Sequence, residues 1–394
     1  MLEITTKMPK ILLSPTAGGE SESPRCHASP VLLEELISNI LHRVPVRSLL
    51  QFKCVCKSWN SLISDPLFAK DHLCASTADP NMTHQRLLSF TVCDPKIVSF
   101  PMHLLLQNPP TPAKPLCSSS LNDSYLILGS CNGLLCLYHI PRCYVALWNP
   151  SIRFTSKRLP TGLSPGEGFS TFHGFGYDAV NDKYKLLLAM RVLGETVTKI
   201  YTFGADSSCK VIQNLPLDPH PTERLGKFVS GTLNWIAPKM GVSDEKWVIC
   251  SFDFATETSG QVVLPYGDRD NVCKPVINAV RNCLCVCFFD SRKAHWAVWL
   301  MKEYGVQDSW TKLMVIPRFV QEDSWPWKLI PHDELCTCRG FPALEPLCIS
   351  GNGIALFKTT ASNIVVYNSN DGRLDFLRIW GDLWSYLESL VSPS

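Results

Sequence analysis

Apolar residues near the start of the chain recur at the spacing of one helix face. One row at intervals of four is formed by Leu32, Leu36, Ile40 and Val44, and a second row beside it by Leu33, Ile37 and Leu41. Two adjacent rows with this spacing predict a helix from about Val31 with a broad apolar face. Pro45 is expected to end it, because proline lacks an amide donor and clashes with the preceding turn.

Further short helices are predicted directly after this one. They cover about Arg47 to Phe52 and about Cys54 to Ile63, and a fourth begins at Ser64-Asp65-Pro66. Asp65 can cap that helix and Pro66 suits its first position. The pattern therefore predicts a small all-α module over residues 31–75.

From about residue 84 the pattern changes to short apolar strands separated by polar turns. The theme recurs five times, and four of its copies close at an aliphatic residue followed by proline. These prolines, at 160, 216, 265 and 317, are 56, 49 and 52 residues apart. Repeats of about 50 residues with about four strands each are typical of kelch-type propeller blades. A long antiparallel sandwich with coincidental spacing is the alternative.

The composition agrees with a mostly β protein that has a sizeable core. Of the 394 residues 45% are apolar and 18% are charged, against about 25% charged in an average globular protein. Lys and Arg (37) nearly balance Asp and Glu (35), which argues against a nucleic-acid partner that would need a basic face. Residues 1–30, rich in Pro, Ser and Gly without periodicity, are expected to form a flexible tail.

No segment suggests a membrane or a secretory route. Apolar runs such as Cys283 to Phe289 are far shorter than the roughly 20 residues that cross a bilayer. The N-terminus lacks an apolar core followed by a small-residue cleavage site. We therefore expect the 18 cysteines to be reduced and the protein to reside in the cytoplasm, the nucleus or both.

The helical segment, with Ile40 to Leu50 and Val55-Cys56-Lys57-Ser58-Trp59, closely resembles the F-box motif. The repeats behind it resemble the F-box-associated domain of the large plant F-box/kelch-like family. The matching pieces are Ser130 to Leu135, Trp148-Asn149-Pro150, Gly174 to Asp178 and Ser251 to Glu257. The resemblance implies a multidomain chain with a small all-α F-box module, followed by a large all-β propeller-like (kelch-type) domain over residues 84–390.

The resemblance further implies a substrate receptor of an SCF-type ubiquitin ligase. In such proteins the F-box binds a Skp-family adaptor, which joins a cullin scaffold, and the β domain binds an unknown target protein. The receptor is not an enzyme and needs no cofactor or metal. The residues expected to shape the adaptor interface, some of them from within the helical core, are Leu32, Leu36, Ile40, Leu41, Pro45, Leu49, Val55, Cys56 and Trp59.

One departure and two alternatives remain. The family usually has proline where this chain has Leu33, so adaptor binding is expected to be weakened, and a scaffold that recruits no ligase stays open. A glycan-binding head is the other alternative, suggested by Trp310 and Trp325 as exposed aromatic candidates. For target binding the loop with Trp325 and Trp327 is a candidate, since aromatic side chains often anchor interfaces; both could equally lie under their own loop.

Three other signals carry little weight. Gly174-Phe175-Gly176 looks like a dinucleotide fingerprint, but a strand rather than a helix is predicted after it. The alternating Cys283, Cys285 and Cys287 are expected to be core side chains, and Cys336-Thr337-Cys338 lacks the spacing of a zinc site. Hydrolase and phosphate-loop motifs are absent from the sequence.

Overall fold

A small group of helices precedes a large domain made of strands. The computed structural model describes residues 34–90, 97–106, 115–116, 125–162, 170–192, 195–212, 221–239, 246–266, 273–318, 343–359, 364–377, 379 and 381–393. The helices of the N-terminal module are α1 (Glu34–Leu41), α2 (Val46–Phe52), α3 (Lys57–Ser64) and α4 (Pro66–Ala78). As expected, Asp65 caps α4 by accepting a hydrogen bond from the amide of Leu67 at 2.8 Å, with Pro66 in the first turn.

Two helix boundaries differ from the sequence expectation. The first helix ends at Leu41, before Pro45, which lies in the extended conformation just before α2. A residue that precedes proline is disfavoured in the helical conformation, so the helix must end earlier. The third helix begins at Lys57 rather than near Cys54, because Cys54 and Val55 form a turn bonded to the end of α2 and Cys56 is extended.

Strands in the described residues form six antiparallel sheets arranged as blades. Blade 1 combines β1 (Gln85–Phe90), β2 (Ile97–Pro101) and β3 (Pro115–Leu116) with β25 (Asp382–Leu387), and the short helix α5 (Met102–Leu105) follows β2. Blade 2 contains β4 (Tyr125–Cys131), β5 (Leu134–His139), β6 (Tyr144–Asn149), β7 (Phe154–Thr155) and β8 (Leu159–Pro160). Blade 3 contains β9 (Ser170–Asp178), β10 (Lys183–Val192), β11 (Glu195–Phe203) and β12 (Ser208–Ile212).

The remaining blades follow in chain order. Blade 4 contains β13 (Lys227–Val229), β14 (Thr232–Pro238), β15 (Trp247–Asp253) and β16 (Ser259–Val262). Blade 5 contains β17 (Val276–Val280), β18 (Cys283–Asp290), β19 (His295–Met301) and β20 (Trp310–Pro317), with a 3₁₀ turn at Gln307–Ser309. Blade 6 contains β21 (Leu344–Ile349), β22 (Ile354–Thr359), β23 (Ile364–Asn368) and β24 (Leu374–Leu377).

The molecule is therefore a helical module followed by a six-bladed propeller, which confirms the predicted fold class and excludes the sandwich. Each of the five repeats seen in the sequence corresponds to one of blades 2 to 6. Blade 1, which the five repeats do not include, closes the ring, because the C-terminal strand β25 pairs with β1, with Leu88 opposite Trp384. The sequence did not predict the number of blades.

The first strand of each of blades 2 to 6, together with β25, lies innermost around the propeller axis. Neighbouring inner strands contact each other, as β4 and β9 do. Glycines allow this close approach: a Cβ on Gly129 would come within 2.6 Å of the Cβ of Phe175, and one on Gly174 within 2.6 Å of the Leu233 side chain. The glycines of the apparent dinucleotide fingerprint thus serve packing, and the strand β10 follows them as predicted.

The blades pack face to face through apolar clusters. Cys285 and Cys287 are buried in the cluster between blades 5 and 6, as predicted for core side chains. Within the described ranges we find no group of side chains suited to a metal ion, and Cys336 and Cys338 lie outside them. None of the helices described is long and apolar enough to cross a membrane.

Candidate interaction surfaces

The helical module has its own small core, which uses part of the apolar face predicted from the sequence. Leu41 (1% exposed) and Leu49 (0%) lie in this core beside Val46, Ile63 and Phe68. These two leucines are buried, so they hold the module together and present no surface to a partner. Trp59 is half-buried at its edge and meets the ring of Phe52 edge to face, with centroids 5.5 Å apart.

Other residues of the predicted adaptor interface remain exposed. Leu36 (48% exposed), Ile40 (56%) and Val55 (61%) are large apolar side chains in contact with solvent. Pro45 and Cys56 are exposed as well, whereas Leu32 and Leu33 lie outside the described residues. An apolar group of this kind on a small module is typical of a surface that a partner covers.

Leu67 is an exposed residue that the sequence analysis missed. It lies in the first turn of α4 and is 69% exposed, the largest exposed fraction among the large apolar side chains of the helical module. Its position directly after the Pro66 helix start was a usable signal, since the first turn of a helix often projects from the module.

Cys56 lies immediately before α3 in an exposed position. Its thiol is 3.1 Å from the hydroxyl of Ser58, and this hydrogen bond, together with the backbone amides at the start of α3, holds the pKa of Cys56 below its usual value. Exposed Cys54 lies nearby in sequence.

The C-terminal segment connects the helical module to the propeller. Leu390 inserts into the core of the module, as does the partly buried Ile152 from the turn after β6. The side chain of Asn149 donates to the carbonyl oxygens of Ser389 at 3.0 Å and Val391 at 2.8 Å. Ser389 in turn donates its hydroxyl to the carbonyl of Asn132 at 2.9 Å.

Polar contacts also cross the junction. Lys70 of α4 forms an ion pair with Asp182, in the turn after β9, at 2.9 Å, but both side chains are exposed and such pairs contribute little. His72 is fully buried, contacts the carbonyl of Val44 at 2.9 Å and lies edge to face with His84. Burial lowers the pKa of both histidines, so the neutral form is favoured there.

These contacts place the helical module at one end of the propeller. The residues that touch it follow the ends of strands on one side of the propeller: Asp182 after β9, Ile152 after β6 and Leu390 after β25. The starts of the inner strands therefore lie at the opposite end. The connection from Pro317 to Leu344, which includes the predicted target residues Trp325 and Trp327, joins that end, but both tryptophans lie outside the described residues.

A charged cluster occupies the central channel near that opposite end. Lys227, the first residue of β13, forms an ion pair with Glu345 of β21 at 2.6 Å, and Glu223 lies 3.6 Å from Lys274. Burial favours the neutral form of Glu345, but Lys227 and Lys358 outweigh it and hold the pKa of Glu345 below its usual value. Burial raises the pKa of Glu223. No sequence signal marked these residues, which are brought together only by the ring of blades.

Of the two aromatic residues that suggested a glycan-binding head, Trp310 is not exposed and Trp325 lies outside the described residues. Trp310 is buried, and its indole N–H donates to the carbonyl of Val263 at 3.0 Å. Trp310 therefore offers no stacking surface for a sugar, and that part of the alternative is wrong.

Comparison with known families agrees with both parts of the chain. The F-box domain family matches residues 32–71, and the family described as F-box associated beta propeller domain matches residues 89–392. The F-box/kelch-repeat protein At3g23880 of Arabidopsis thaliana is 28% identical over 377 residues, which cover 91% of this chain and 95% of the relative.

Two other Arabidopsis thaliana proteins are similar along most of their length. F-box protein At3g07870 is 26% identical over 392 residues, covering 89% of this chain and 88% of its own length. F-box protein CPR1 is 28% identical over 331 residues, covering 75% of this chain and 76% of its own length.

Proposed function

The chain belongs to the F-box proteins that carry an F-box-associated β-propeller domain, and on this basis we propose that it is the substrate receptor of an SCF-type ubiquitin ligase. The F-box binds a Skp-family adaptor and, through it, a cullin scaffold, while the propeller binds the target protein. The receptor itself breaks and forms no bonds. It raises the effective concentration of the target's lysines near the ubiquitin-charged enzyme.

The observation that carries this proposal is the exposed apolar group on the F-box. Leu36, Ile40 and Val55 remain in solvent although other apolar residues of the module are packed around Leu390. Removing apolar area from water stabilises a complex by about 25 cal/mol per Å² before the costs of association. A groove on the adaptor that covers these side chains would therefore supply a large part of the binding free energy.

The position of the F-box supports the same function. It lies at one end of the propeller and is fixed there by Leu390, Asn149 and Ser389, and we expect the target to bind at the other end. Because the F-box is fixed to the propeller, a bound target is held at a defined distance from the adaptor, and this limits the volume that the target's lysines explore. The proximity effect is greatest when the linked groups are held in such a defined geometry.

Substitutions in the exposed group test the adaptor interface. We expect Ile40→Asp and Val55→Asp each to weaken binding of a purified Skp-family adaptor at least about tenfold, because a buried charge replaces a central apolar contact. Isothermal titration with the full chain measures the affinities. Both positions are more than half exposed, so the variants should fold normally.

Val211→Asp is the matched control. Val211 is an equally exposed valine on β12, the outer strand of blade 3 and away from the F-box. Its substitution should leave adaptor affinity unchanged. Adaptor binding that is absent from the wild type, or equal in all four proteins, would contradict the proposal and favour a scaffold that recruits no ligase.

A further inference from the structure

The central channel of the propeller contains a cavity of about 130 Å³. All six inner strands contribute to its wall, through Trp384, Ser130, Phe175, Lys227, Asn278 and Glu345 in blade order. Its volume is close to that of an engineered cavity of about 150 Å³ that accepts benzene. The cavity can therefore hold a small ring or one side chain.

The charges in the wall of this cavity do not balance. Lys227 and Glu345 neutralise each other at 2.6 Å. Lys358 also lines the cavity, directly across the β21–β22 pair from Glu345, and its positive charge helps to lower the pKa of Glu345, but among the residues the structure describes no carboxylate lies within ion-pair distance of it. The lining thus holds two ammonium groups against one carboxylate.

One uncharged polar group in the wall, Asn278, already has its hydrogen-bond partners. The side-chain amide of Asn278 donates to the carbonyl of Pro346 at 3.0 Å and accepts from the amide of Ala279 at 2.9 Å. Phe175, Phe228 and Trp384 supply apolar surface around it. A few polar groups that orient a ligand within an apolar wall are typical of small binding sites.

We propose that this cavity binds one carboxylate or phosphate group carried on a small apolar body, with Lys358 as the cation that holds it. The inference rests on the proposed function in one respect, the end of the propeller at which the target binds. Lys227 and Glu345 lie near the starts of their strands, at the end of the channel away from the F-box, which is the end proposed for the target. The anion is supplied either by an acidic or phosphorylated side chain of the target or by a free small molecule.

Isothermal titration of the purified full chain with three probes tests the site: benzoate, inorganic phosphate and a short phosphoserine peptide. At least one probe should bind at millimolar concentration or tighter. Lys358→Gln should weaken that binding about tenfold or more, the usual loss for a hydrogen bond to a charged group. Binding of the peptide alone assigns the anion to the target, and binding of benzoate or phosphate assigns it to a small molecule.

Glu345→Gln should act in the opposite direction. It removes the competing carboxylate and frees Lys227, so the same probe should bind more tightly than to the wild type. Lys302→Gln, which changes an exposed lysine between β19 and β20, is the control and should leave affinity unchanged. Urea unfolding of each variant establishes that it is folded. Lys358→Gln removes a charge that helps to keep Glu345 ionised, so a small loss of stability is expected without loss of the fold.

The proposal is overturned if none of the probes binds the wild type, or if Lys358→Gln binds as well as the wild type. Neither result bears on the F-box, since adaptor binding is measured separately at the opposite end of the molecule. A chain that binds the adaptor but no anion therefore refutes the cavity inference alone.

Discussion

At the scale of single residues, His173 shows how the propeller core fixes a charge state. It lies in the inner strand β9, buried, with its backbone bonded to Arg224 and Gly226 of the next blade at 2.7 Å. Burial first, and the positive charges of Arg224 and Lys227 second, lower the pKa of His173 to about 4. The side chain is therefore neutral in the folded protein at any pH well above that value.

This shift predicts a loss of stability in acid. In the unfolded chain the histidine has a pKa of about 6.5 and binds a proton as the pH falls below it, while the folded form remains neutral down to about 4. The contribution of His173 to the free energy of unfolding is therefore fully present above pH 6.5. It falls by about 3 kcal/mol in total as the pH is lowered from 6.5 to 4. Urea unfolding across this range measures the slope.

His173→Gln isolates the contribution of this residue. The variant should have a shallower dependence of unfolding free energy on pH in the same window, whatever its stability at neutral pH. His72, His84 and His139, whose pKa values are also lowered, contribute to the slope that remains. An identical slope in variant and wild type would show that His173 titrates normally.

At the scale of elements, the C-terminal segment after β25 acts as a connector between two domains. Glu388 pairs with Arg86 at 3.0 Å, Ser389 and Val391 accept hydrogen bonds from Asn149, and Leu390 enters the F-box core. Burial raises the pKa of Glu388, so this carboxylate depends on Arg86 to stay charged. Four consecutive residues, 388 to 391, thereby make contacts on both sides of the junction.

Asn149→Ala should loosen this connector. It removes the donor from two carbonyl groups, one of them in a fully buried bond, and we expect a loss of about 2–4 kcal/mol in unfolding free energy. Limited proteolysis should then cut the C-terminal segment faster. Asn368→Ala is the matched control, since Asn368 caps the corresponding turn of blade 6 at 3.0 Å without touching the segment. Equal cleavage of both variants would count against the connector.

At the scale of the whole molecule, closure of the ring depends on one strand from each end of the chain. Six residue pairs, from Gln85 opposite Leu387 to Phe90 opposite Asp382, join β1 to β25. Without β25, blade 1 would lose its innermost strand and present an open edge to solvent. Such edges are prone to pair with other chains.

Two truncations separate closure from F-box attachment. A chain that ends at Gly381 lacks β25 and should lose cooperative thermal unfolding and aggregate. A chain that ends at Leu387 keeps β25 and should retain a cooperative propeller transition, with a destabilised F-box that has lost Leu390 from its core. Circular dichroism and size-exclusion chromatography distinguish the two. Equal behaviour of the truncated chains would refute this division of roles.

The sequence by itself determined the elements and their kind. The spacing of four around Leu36 and Ile40, the cap at Asp65 and the repeats of about 50 residues each depend on neighbours in the chain, so a local pattern was sufficient. The F-box resemblance rests on such local motifs too. The boundaries at Leu41 and Lys57 were missed, because turn geometry around Pro45 and Cys54 overrode apolar periodicity.

Only the tertiary structure determined which residues far apart in the sequence contact one another. Both apolar rows of the first helix look alike in sequence, and only packing around Leu390 places Leu41 in the core while it leaves Ile40 in solvent. Blade 1 joins the two ends of the propeller domain through β1 and β25. The ion pair of Lys227 and Glu345 joins residues 118 positions apart in the chain. Contacts over such separations depend on the closed ring, which brings together residues that no local pattern relates.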